Sequence, residues 1–533
     1  MMEAVLHGWS GIAFAYAAVQ VPMIAALIRA RAAFQQYAIA PIAALPLTAV
    51  AAAGSALFAP NGVAHAVLAV GASALLGYAG GEVLAHDAAA DKVHRRGAHI
   101  AERAAPRAAE SDAGVSLAGI RVPAADETKH FKLIGTTGTG KSTAIQELMS
   151  QALARGDRAV IADPDGGYLR RFYRKERGDI ILNPFDQHSV KWDLFGEIRN
   201  VYDVEQLARS LIPDYEAGDR SWSGYARTFF SAVTGQARAA GIDDVAELYR
   251  LLVVADAAEL RTLVRGTPAQ PFLEEHNGRM FDSIRSVTSS AVGALRYIAQ
   301  QKSAHFSVRD WVDDDKPGVL FIPYKAGQIA SLRSSISGWM RLAIFETMDR
   351  GEDNSRVWFV VDELDALGQI DGLKDALARL RKFNGRCVLG FQSIAQVSST
   401  YGQGDAHTII ENCSNTLILR CSSSEGGGTA RFASQLIGDR EIVRTSMSSS
   451  RRLTEVLGSI SRTQHIAIEP AVLASQVEQL PDLNGYLKYA SDPNWVRVRL
   501  DAKQTWRQAR AIAPVARATD EARSQRSLGA EHE

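Results

Sequence analysis

Residues 1–90 are dominated by long runs of apolar positions without charge. The segment Ala32–Gly81 contains no Asp, Glu, Lys or Arg, and Trp9–Ile28 is a second uncharged run. A helix of about 20 apolar residues is long enough to cross a bilayer. The pattern predicts a transmembrane helical anchor with spans at about Trp9–Ile28, Ala38–Ala59 and His65–Leu84, and it leaves two or three spans open. The alternative is a buried helical bundle of a soluble domain.

Positive charges flank the apolar runs and indicate an orientation. Arg29 and Arg31 fall between the first two runs, while no Lys or Arg separates the second from the third. A basic group follows the third run: Lys92, Arg95, Arg96, Arg103 and Arg107. Because basic loops stay in the cytoplasm, three spans predict an external amino terminus and a cytoplasmic chain after about residue 90. Two spans would place the amino terminus inside.

Beyond residue 115, short apolar runs alternate with segments at helical spacing. Runs typical of buried strands occur at His130–Ile134, Arg158–Asp163, Asp179–Leu182, Gly318–Ile322, Val357–Val361, Arg386–Phe391 and Asn415–Arg420. Helical spacing prevails between residues 191 and 304. We therefore expect a nucleotide-binding α/β domain at 116–190 and 305–503, interrupted by an all-α domain at 191–304. An anchor at 1–88 and a linker at 89–115 precede it, Thr445–Gln464 is expected to be a mobile loop, and 504–533 a disordered tail.

Charge and cysteine content narrow the class of protein only slightly. The formal net charge is zero, which neither indicates nucleic acid as a partner nor excludes a locally basic channel. Cys387, Cys413 and Cys421 are not at metal-ligand spacing with histidines. They are expected to be reduced thiols in a cytoplasmic compartment.

The stretch GTTGTGKS fits the P-loop pattern G-x-x-x-x-G-K-[ST] and lies between a predicted strand and a predicted helix. In such a loop, backbone N–H groups wrap a phosphate, the lysine reaches the β and γ phosphates, and the hydroxyl reaches Mg²⁺. The predicted nucleotide-binding residues are Gly135, Thr136, Thr137, Gly138, Thr139, Gly140, Lys141, Ser142 and Thr143. The alternative is a glycine-rich turn that binds nothing.

The segment RVWFVVDELDALG places two carboxylates at the end of an apolar strand. Ligands bind at that end of the strands in open α/β sheets. Asp362 is therefore predicted to hold Mg²⁺ together with Ser142, and Glu363 to activate the attacking water. Gln392 ends a later strand, where it either contacts the γ-phosphate or is a polar strand terminus. The stretch Tyr168–Lys175 interleaves basic and aromatic residues, as proteins that bind single-stranded nucleic acid do. A solvated amphipathic helix covering the sheet explains this pattern better.

The order of these parts resembles the type IV secretion coupling proteins, the membrane-anchored ATPases of bacterial conjugation, and is most similar to the TraD/TrwB-like branch. The resemblance runs from the P-loop almost to residue 500. It is carried by GTTGTGKST, VIADPDGGYLRRFY, DIILNPFD, SVRDWV, WFVVDELDALG, LRKFNGRCVLGFQSIAQVSSTYG, ENCSNTLILR and EPAVLASQVEQLPDLNGYLKYA.

The resemblance implies a RecA-like P-loop NTPase domain with an inserted all-α domain, ATP and Mg²⁺ as ligands, and a hexamer around a DNA channel. It also implies a multi-pass protein of the bacterial inner membrane that exports single-stranded DNA, with relaxase or relaxosome proteins and type IV secretion channel components as partners. Lys141, Glu363 and Gln392 match catalytic positions of the family. Arg381 matches an arginine that reaches a neighbouring subunit's nucleotide. The family usually has two spans, whereas three are suggested here.

Two other functions stay open. One is a related ring motor with another cargo, of the FtsK, HerA or VirB4 type. The other is a receptor that docks substrate proteins through the all-α domain and uses ATP only to assemble.

Overall fold

The computed structural model describes residues 2–29, 32, 34–58, 63–85, 92–102, 114–214, 220–351, 355–424, 427–450 and 459–502. The chain forms two compact units. The first comprises Met1–Gly97 and Arg440–Glu469, and the second Ala98–Asp439 and Pro470–Glu533. The tail predicted at 504–533 and residues 103–113 of the predicted linker lie outside the described residues.

The strands, in chain order, are β1 Lys92–Gly97, β2 Ile100–Ala101, β3 Ser116–Leu117, β4 Ile120–Arg121, β5 Phe131–Ile134, β6 Arg158–Pro164, β7 Ile180–Ile181, β8 Lys191–Trp192, β9 His305–Phe306, β10 Val319–Tyr324, β11 Val357–Val361, β12 Gly385–Phe391, β13 Asn415–Ile418, β14 Asp439–Ser450, β15 Ser459–Pro470, β16 Asn484–Lys488 and β17 Trp495–Arg499. The α-helices are α1 Met2–Arg29, α2 Phe34–Phe58, α3 Val63–Ala85, α4 Lys141–Ala154, α5 Gly167–Phe172, α6 Asp203–Leu211, α7 Arg220–Ala239, α8 Val245–Tyr249, α9 Ala257–Leu263, α10 Gly278–Val292, α11 Leu295–Ala299, α12 Val308–Asp313, α13 Ala326–Asp349, α14 Leu373–Leu380, α15 Ile394–Tyr401, α16 Gln403–Asn412, α17 Gly428–Ile437 and α18 Ala474–Glu478.

Three long helices, α1 to α3, cover the three runs predicted as membrane spans. A Cβ on Gly77 of α3 would lie 2.1 Å from the backbone oxygen of Val19, so glycine allows α3 to approach α1 closely. Where side chains are described, one stretch, Gln36–Ala53 of α2, has the length and hydropathy of a membrane span. The apolar stretches Ala13–Arg29 and Ala69–Leu84 are shorter. By length and composition, one candidate span is therefore present, and a multi-pass anchor stays a proposal.

The first unit also contains a three-stranded sheet in the order β1–β14–β15. β1 lies in the range predicted as a linker and pairs antiparallel with β14, with Lys92 opposite Arg444. The prediction of a loop over Thr445–Gln464 is wrong at both ends, because β14 continues to Ser450 and β15 begins at Ser459. Residues 451–458 lie outside the described residues. A polar segment becomes a strand when a neighbouring strand satisfies its backbone groups.

The second unit is built on a ten-stranded sheet in the order β2–β17–β16–β13–β5–β12–β11–β6–β10–β7. The seven strands from β13 to β7 are parallel, whereas β16 runs antiparallel to both β13 and β17, and β17 pairs in parallel with β2. Phe391 of β12 lies opposite Ile134 of β5, and Leu389 lies opposite Val361 of β11. The carboxyl ends of these three strands therefore meet at one level of the sheet.

Both faces of this sheet are buried, as expected for parallel strands between helices. In β11, Val357, Phe359 and Val361 pack in one apolar core, and Trp358 and Val360 pack in the core on the other face. All five side chains are at most 1 % exposed. This explains why the sequence shows a continuous apolar run at this strand rather than an alternation with polar residues.

Strands β8 and β9 pair in parallel at the base of the helical insertion. The described part of residues 193–304 contains helices α6 to α11 and no strand. The insertion is fixed to the sheet domain through α13, where an Arg341 Nη atom lies 3.1 Å from Ser210 Oγ of α6. At its base, the buried carboxylate of Glu197 accepts hydrogen bonds from Trp192 Nε1 (2.9 Å) and Val308 N (2.6 Å). The two segments that connect the insertion to the sheet domain are therefore held together by strand pairing and by hydrogen bonds to Glu197.

Candidate functional site

The predicted P-loop follows β5 directly and curves over the carboxyl end of the sheet. The Gly135 N–H donates to the carbonyl oxygen of Phe391 at the end of β12, at 3.0 Å. Gly138 and Gly140 have φ angles of +79° and +116°, which glycine adopts without the strain that a side chain would cause. The other predicted nucleotide-binding residues lie in the same loop or the first turn of α4: Thr136, Thr137, Thr139, Lys141, Ser142 and Thr143. The loop thus has the local structure that the sequence pattern predicted.

Lys141 opens α4, and its side chain is buried within the loop. Its Nζ donates to the carbonyl oxygens of Gly135 (2.5 Å) and Thr136 (3.3 Å). Burial lowers the pKa of Lys141, and the negative charges of Asp362 and Glu363 act in the opposite direction. The ammonium group therefore adds to the positive potential that a helix N-terminus offers a phosphate.

Asp362 follows β11 and receives two hydroxyl groups on one carboxylate oxygen. Its Oδ2 accepts hydrogen bonds from Ser142 Oγ (2.6 Å) and from the Tyr168 hydroxyl (2.8 Å). Hydroxyl and carboxylate oxygens suit Mg²⁺, which usually keeps several waters and shares its coordination with substrate phosphates. The described residues contain no cluster of three or more His, Cys, Asp or Glu side chains that could hold a metal alone. The donor set at Ser142 and Asp362 therefore fits a nucleotide-bound Mg²⁺.

Glu363, Gln392 and Thr137 form a chain of hydrogen bonds across the sheet edge. Gln392 Nε2 donates to Glu363 Oε1 at 2.7 Å, and Gln392 Oε1 accepts from Thr137 Oγ1 at 2.9 Å. Burial, and secondly the negative charge of Asp365, raise the pKa of Glu363. A carboxylate with a raised pKa is a better proton acceptor. Because β12 lies between β5 and β11, its terminal glutamine connects the P-loop to the acidic pair.

Sequence reasoning missed two residues that complete this edge. Asp163, at the end of β6, accepts the backbone N–H groups of Tyr168 (3.0 Å) and Leu169 (2.7 Å), and burial raises its pKa to about 7. Tyr168 is buried and contacts Asp362 rather than facing solvent on a basic helix. The sequence does place Asp163 at the end of an apolar strand, as it does Asp362. The residues after it, Pro164–Gly167, indicate a turn, and a functional role for Asp163 was therefore not predicted.

Arg381 does not lie at this edge. It is exposed and begins a 3₁₀ turn, Arg381–Phe383, just before the amino end of β12. From Gly385 to Phe391, β12 crosses the sheet over about 20 Å, at roughly 3.3 Å per residue. Within one chain, Arg381 and the P-loop are therefore at opposite edges of the sheet.

The mostly parallel sheet, covered on both faces, and the P-loop next to Asp362 and Glu363 define the class of RecA-like P-loop nucleotide-binding proteins. Comparison with known proteins then identifies the family. Residues 114–501 match the family described as "Type IV secretion-system coupling protein DNA-binding domain". The chain belongs to this family of type IV secretion coupling proteins.

Individual relatives agree with this assignment. Coupling protein TraD of Escherichia coli (strain K12) is 33 % identical over 383 residues, which is 70 % of this chain and 53 % of TraD. The aligned region thus spans about half the length of this curated relative. The plasmid coupling protein TrwB, solved in complex with the ATP analogue ADPNP, is 29 % identical, with a TM-score of 0.69 over 80 % of this chain and 98 % of that chain. TrwB in complex with ADP and Mg²⁺ is 30 % identical, with a TM-score of 0.69 over 79 % of this chain and 98 % of that chain.

Proposed function

We propose that the chain is a membrane-anchored hexameric ATPase that couples the relaxosome to a type IV secretion channel and pumps single-stranded DNA during conjugation. The observation that carries the proposal is the 2.6 Å contact between Ser142 Oγ and Asp362 Oδ2, beside Lys141 and Glu363. It joins the P-loop to the acidic end of β11 as ATP hydrolysis requires. The complexes of TrwB with an ATP analogue and with ADP and Mg²⁺ support ATP and Mg²⁺ as ligands of this chain.

Each residue at the carboxyl end of the parallel strands has a separate role in the reaction. The loop amides and Lys141 Nζ bind the phosphates. Thr143, the residue after Ser142 in the first turn of α4, is also assigned to nucleotide binding. Ser142 Oγ and Asp362 hold Mg²⁺, which when bound neutralises charge that develops on the phosphate oxygens. Glu363 orients a water molecule and takes its proton, so that ADP and phosphate are the products. Gln392 holds Glu363 against the P-loop.

Arg381 is proposed to act on the nucleotide of a neighbouring subunit. Its position at the amino edge of the sheet, separated from its own P-loop by the length of β12, about 20 Å, supports a head-to-tail ring in which the amino edge of one subunit faces the carboxyl edge of the next. An arginine supplied in this way stabilises charge in the transition state and is worth roughly a thousandfold or more in related enzymes. In this arrangement, full hydrolytic activity would require the assembled ring.

The anchor, the domain boundaries and the cytoplasmic location of the motor are parts of the same proposal. The three helices α1 to α3 would anchor the chain in the inner membrane, with the basic residues near 29–31 and 92–107 on the cytoplasmic side. The α/β domain would comprise 116–190 and 305–503, and the all-α domain 191–304. Contacts with DNA would be made mainly to phosphates, so binding is expected to weaken steeply with salt.

The proposal is tested with the full chain carrying Lys141→Ala or Glu363→Gln, and with Glu176→Gln in an exposed turn as a matched control. We expect ATPase activity that single-stranded DNA stimulates, its loss in the first two variants, unchanged membrane insertion, and loss of DNA transfer in a conjugation assay. Glu176→Gln should behave as the parent. ATPase activity without stimulation by DNA, together with normal transfer in Glu363→Gln, would exclude the motor and favour a docking receptor.

A further inference from the structure

Tyr168 is the only buried side chain outside the P-loop with a hydrogen bond to Asp362, among the residues that the structure describes. Its hydroxyl lies 2.8 Å from Oδ2, the oxygen that also accepts the Ser142 hydroxyl at 2.6 Å. The ring is 2 % exposed. The phenol therefore reaches the Asp362 carboxylate from inside the protein.

The backbone around Tyr168 is fixed independently of this contact. Asp163 accepts the N–H groups of Tyr168 and Leu169 and so satisfies two donors in the first turn of the short helix α5. The chain enters that helix through Asp165 and Gly166, which both have positive φ angles, +56° and +67°. This tight turn brings the chain from the end of β6 back over the end of β11, its neighbour in the sheet. The phenol is thus held in place by β6 while it contacts the carboxylate of β11.

We propose that Tyr168 is a positioning residue that fixes Asp362 as a hydrogen-bond acceptor, so that Ser142 presents its lone pairs to Mg²⁺. A serine hydroxyl has one proton and two lone pairs. If that proton is donated to a carboxylate held in place by Tyr168, both lone pairs of Ser142 Oγ point elsewhere. Partners behind a metal site usually change metal affinity 10- to 100-fold when they are removed. This inference rests on the proposed nucleotide site.

The test is the full chain with Tyr168→Phe, which removes one oxygen and keeps the ring. Binding of a fluorescent ATP analogue is followed by its fluorescence while Mg²⁺ is titrated, and again with Mg²⁺ removed by a chelator. We expect the Mg²⁺ concentration at half-maximal response to rise about tenfold, and the affinity without Mg²⁺ to stay within about twofold. A positioning role predicts this split, whereas a purely structural role would weaken both.

Tyr489→Phe is the matched control, because its hydroxyl donates a comparable hydrogen bond to the Ile120 carbonyl (2.6 Å) in the same unit, between residues to which no role at the nucleotide site is assigned. Its Mg²⁺ midpoint should equal that of the parent. A second test combines Tyr168→Phe with Ser142→Ala, in which the lone pairs are already absent. The double variant should then lose less Mg²⁺ affinity than the sum of the two single losses, since residues that act through one another are not additive.

Three results would overturn the inference. These are a parental Mg²⁺ midpoint in Tyr168→Phe, an equal shift in Tyr489→Phe, or fully additive losses in the double variant. A parent that binds the nucleotide analogue neither with nor without Mg²⁺ would overturn the proposed function itself. The two failures are therefore distinguishable in one set of titrations.

Discussion

Gly390, one residue before the end of β12, allows the acidic end of β11 to lie against its neighbour. A Cβ built on Gly390 would lie 1.9 Å from the backbone oxygen of Asp362 and 2.7 Å from its carbonyl carbon. The Leu364 N–H donates to the Gly390 oxygen at 3.1 Å, so the two strand ends are also bonded to each other. Substitution of Gly390 by alanine therefore acts directly on the residue proposed to hold Mg²⁺.

The size of the effect follows from these distances. Ordinary contact begins near 3.4 Å, so the Gly390→Ala variant must separate Cβ and the Asp362 oxygen by about 1.5 Å more. Overpacking of this kind costs roughly 1–3 kcal/mol of stability. A misplacement of about 1 Å at a catalytic group can reduce turnover about 100-fold. We expect kcat to fall at least that far in a chain that still folds.

The assay compares kcat for ATP and the thermal unfolding of Gly390→Ala with those of Gly404→Ala. Gly404 lies in α16 with no atom within 4 Å of a Cβ built on it, and alanine should stabilise that helix by up to about 1 kcal/mol. Parental turnover in Gly390→Ala at an unchanged melting temperature would refute the reasoning, because the strand ends would then separate without cost.

Three further predictions concern the opposite edge of the sheet. His130 is buried between the Leu377 carbonyl and the Cys387 N–H, and burial lowers its pKa from 6.5 to about 4. Because the unfolded chain binds more protons than the folded chain between these pH values, the free energy of unfolding should fall by about 3 kcal/mol as the pH drops from 6.5 to 4. Denaturant titrations of His130→Gln should therefore show a flatter pH dependence than those of the parent. Glu127→Gln removes a countercharge of the buried Arg386, 3.3 Å away, and of Arg155, 2.8 Å away, which should cost about 3–5 kcal/mol in the same titrations; a loss below 1 kcal/mol would contradict the pairing. Rings of Arg381→Ala subunits alone, or of Lys141→Ala subunits alone, should be inactive. If the arginine acts in trans, rings that mix the two variants should recover about a quarter of the parental ATPase activity. No recovery would contradict that role.

Local sequence patterns accounted for much of the fold. The apolar run of β11 and the following Asp362–Glu363 pair predicted a buried strand with an acidic end, because a strand buried on both faces has apolar residues on both faces. The P-loop was readable for a similar reason, since its glycines, Lys141 and hydroxyl must occur at fixed spacing along one turn. Helical spacing likewise indicated the insertion between β8 and β9.

Other features depended on residues far apart in the chain. Much of β14 and β15 looks like a polar loop in sequence, and it becomes strand only because β14 pairs with β1 on one side and with β15 on the other. Tyr168 reads as part of a basic and aromatic helix, yet its partner Asp362 is 194 residues away. No local pattern encodes such a contact, because it results from the order of strands in the sheet.

The sequence by itself therefore determined which short segments carry phosphate-binding and acidic chemistry, since that chemistry requires particular residue types at close spacing. The tertiary structure decided how these segments meet. With β12 between β5 and β11, Gln392 bridges the P-loop and Glu363, Gly390 allows the close approach of Asp362, and Arg381 lies at the far edge. These relations follow from strand order and direction, which arise from packing the whole sheet and not from any one segment.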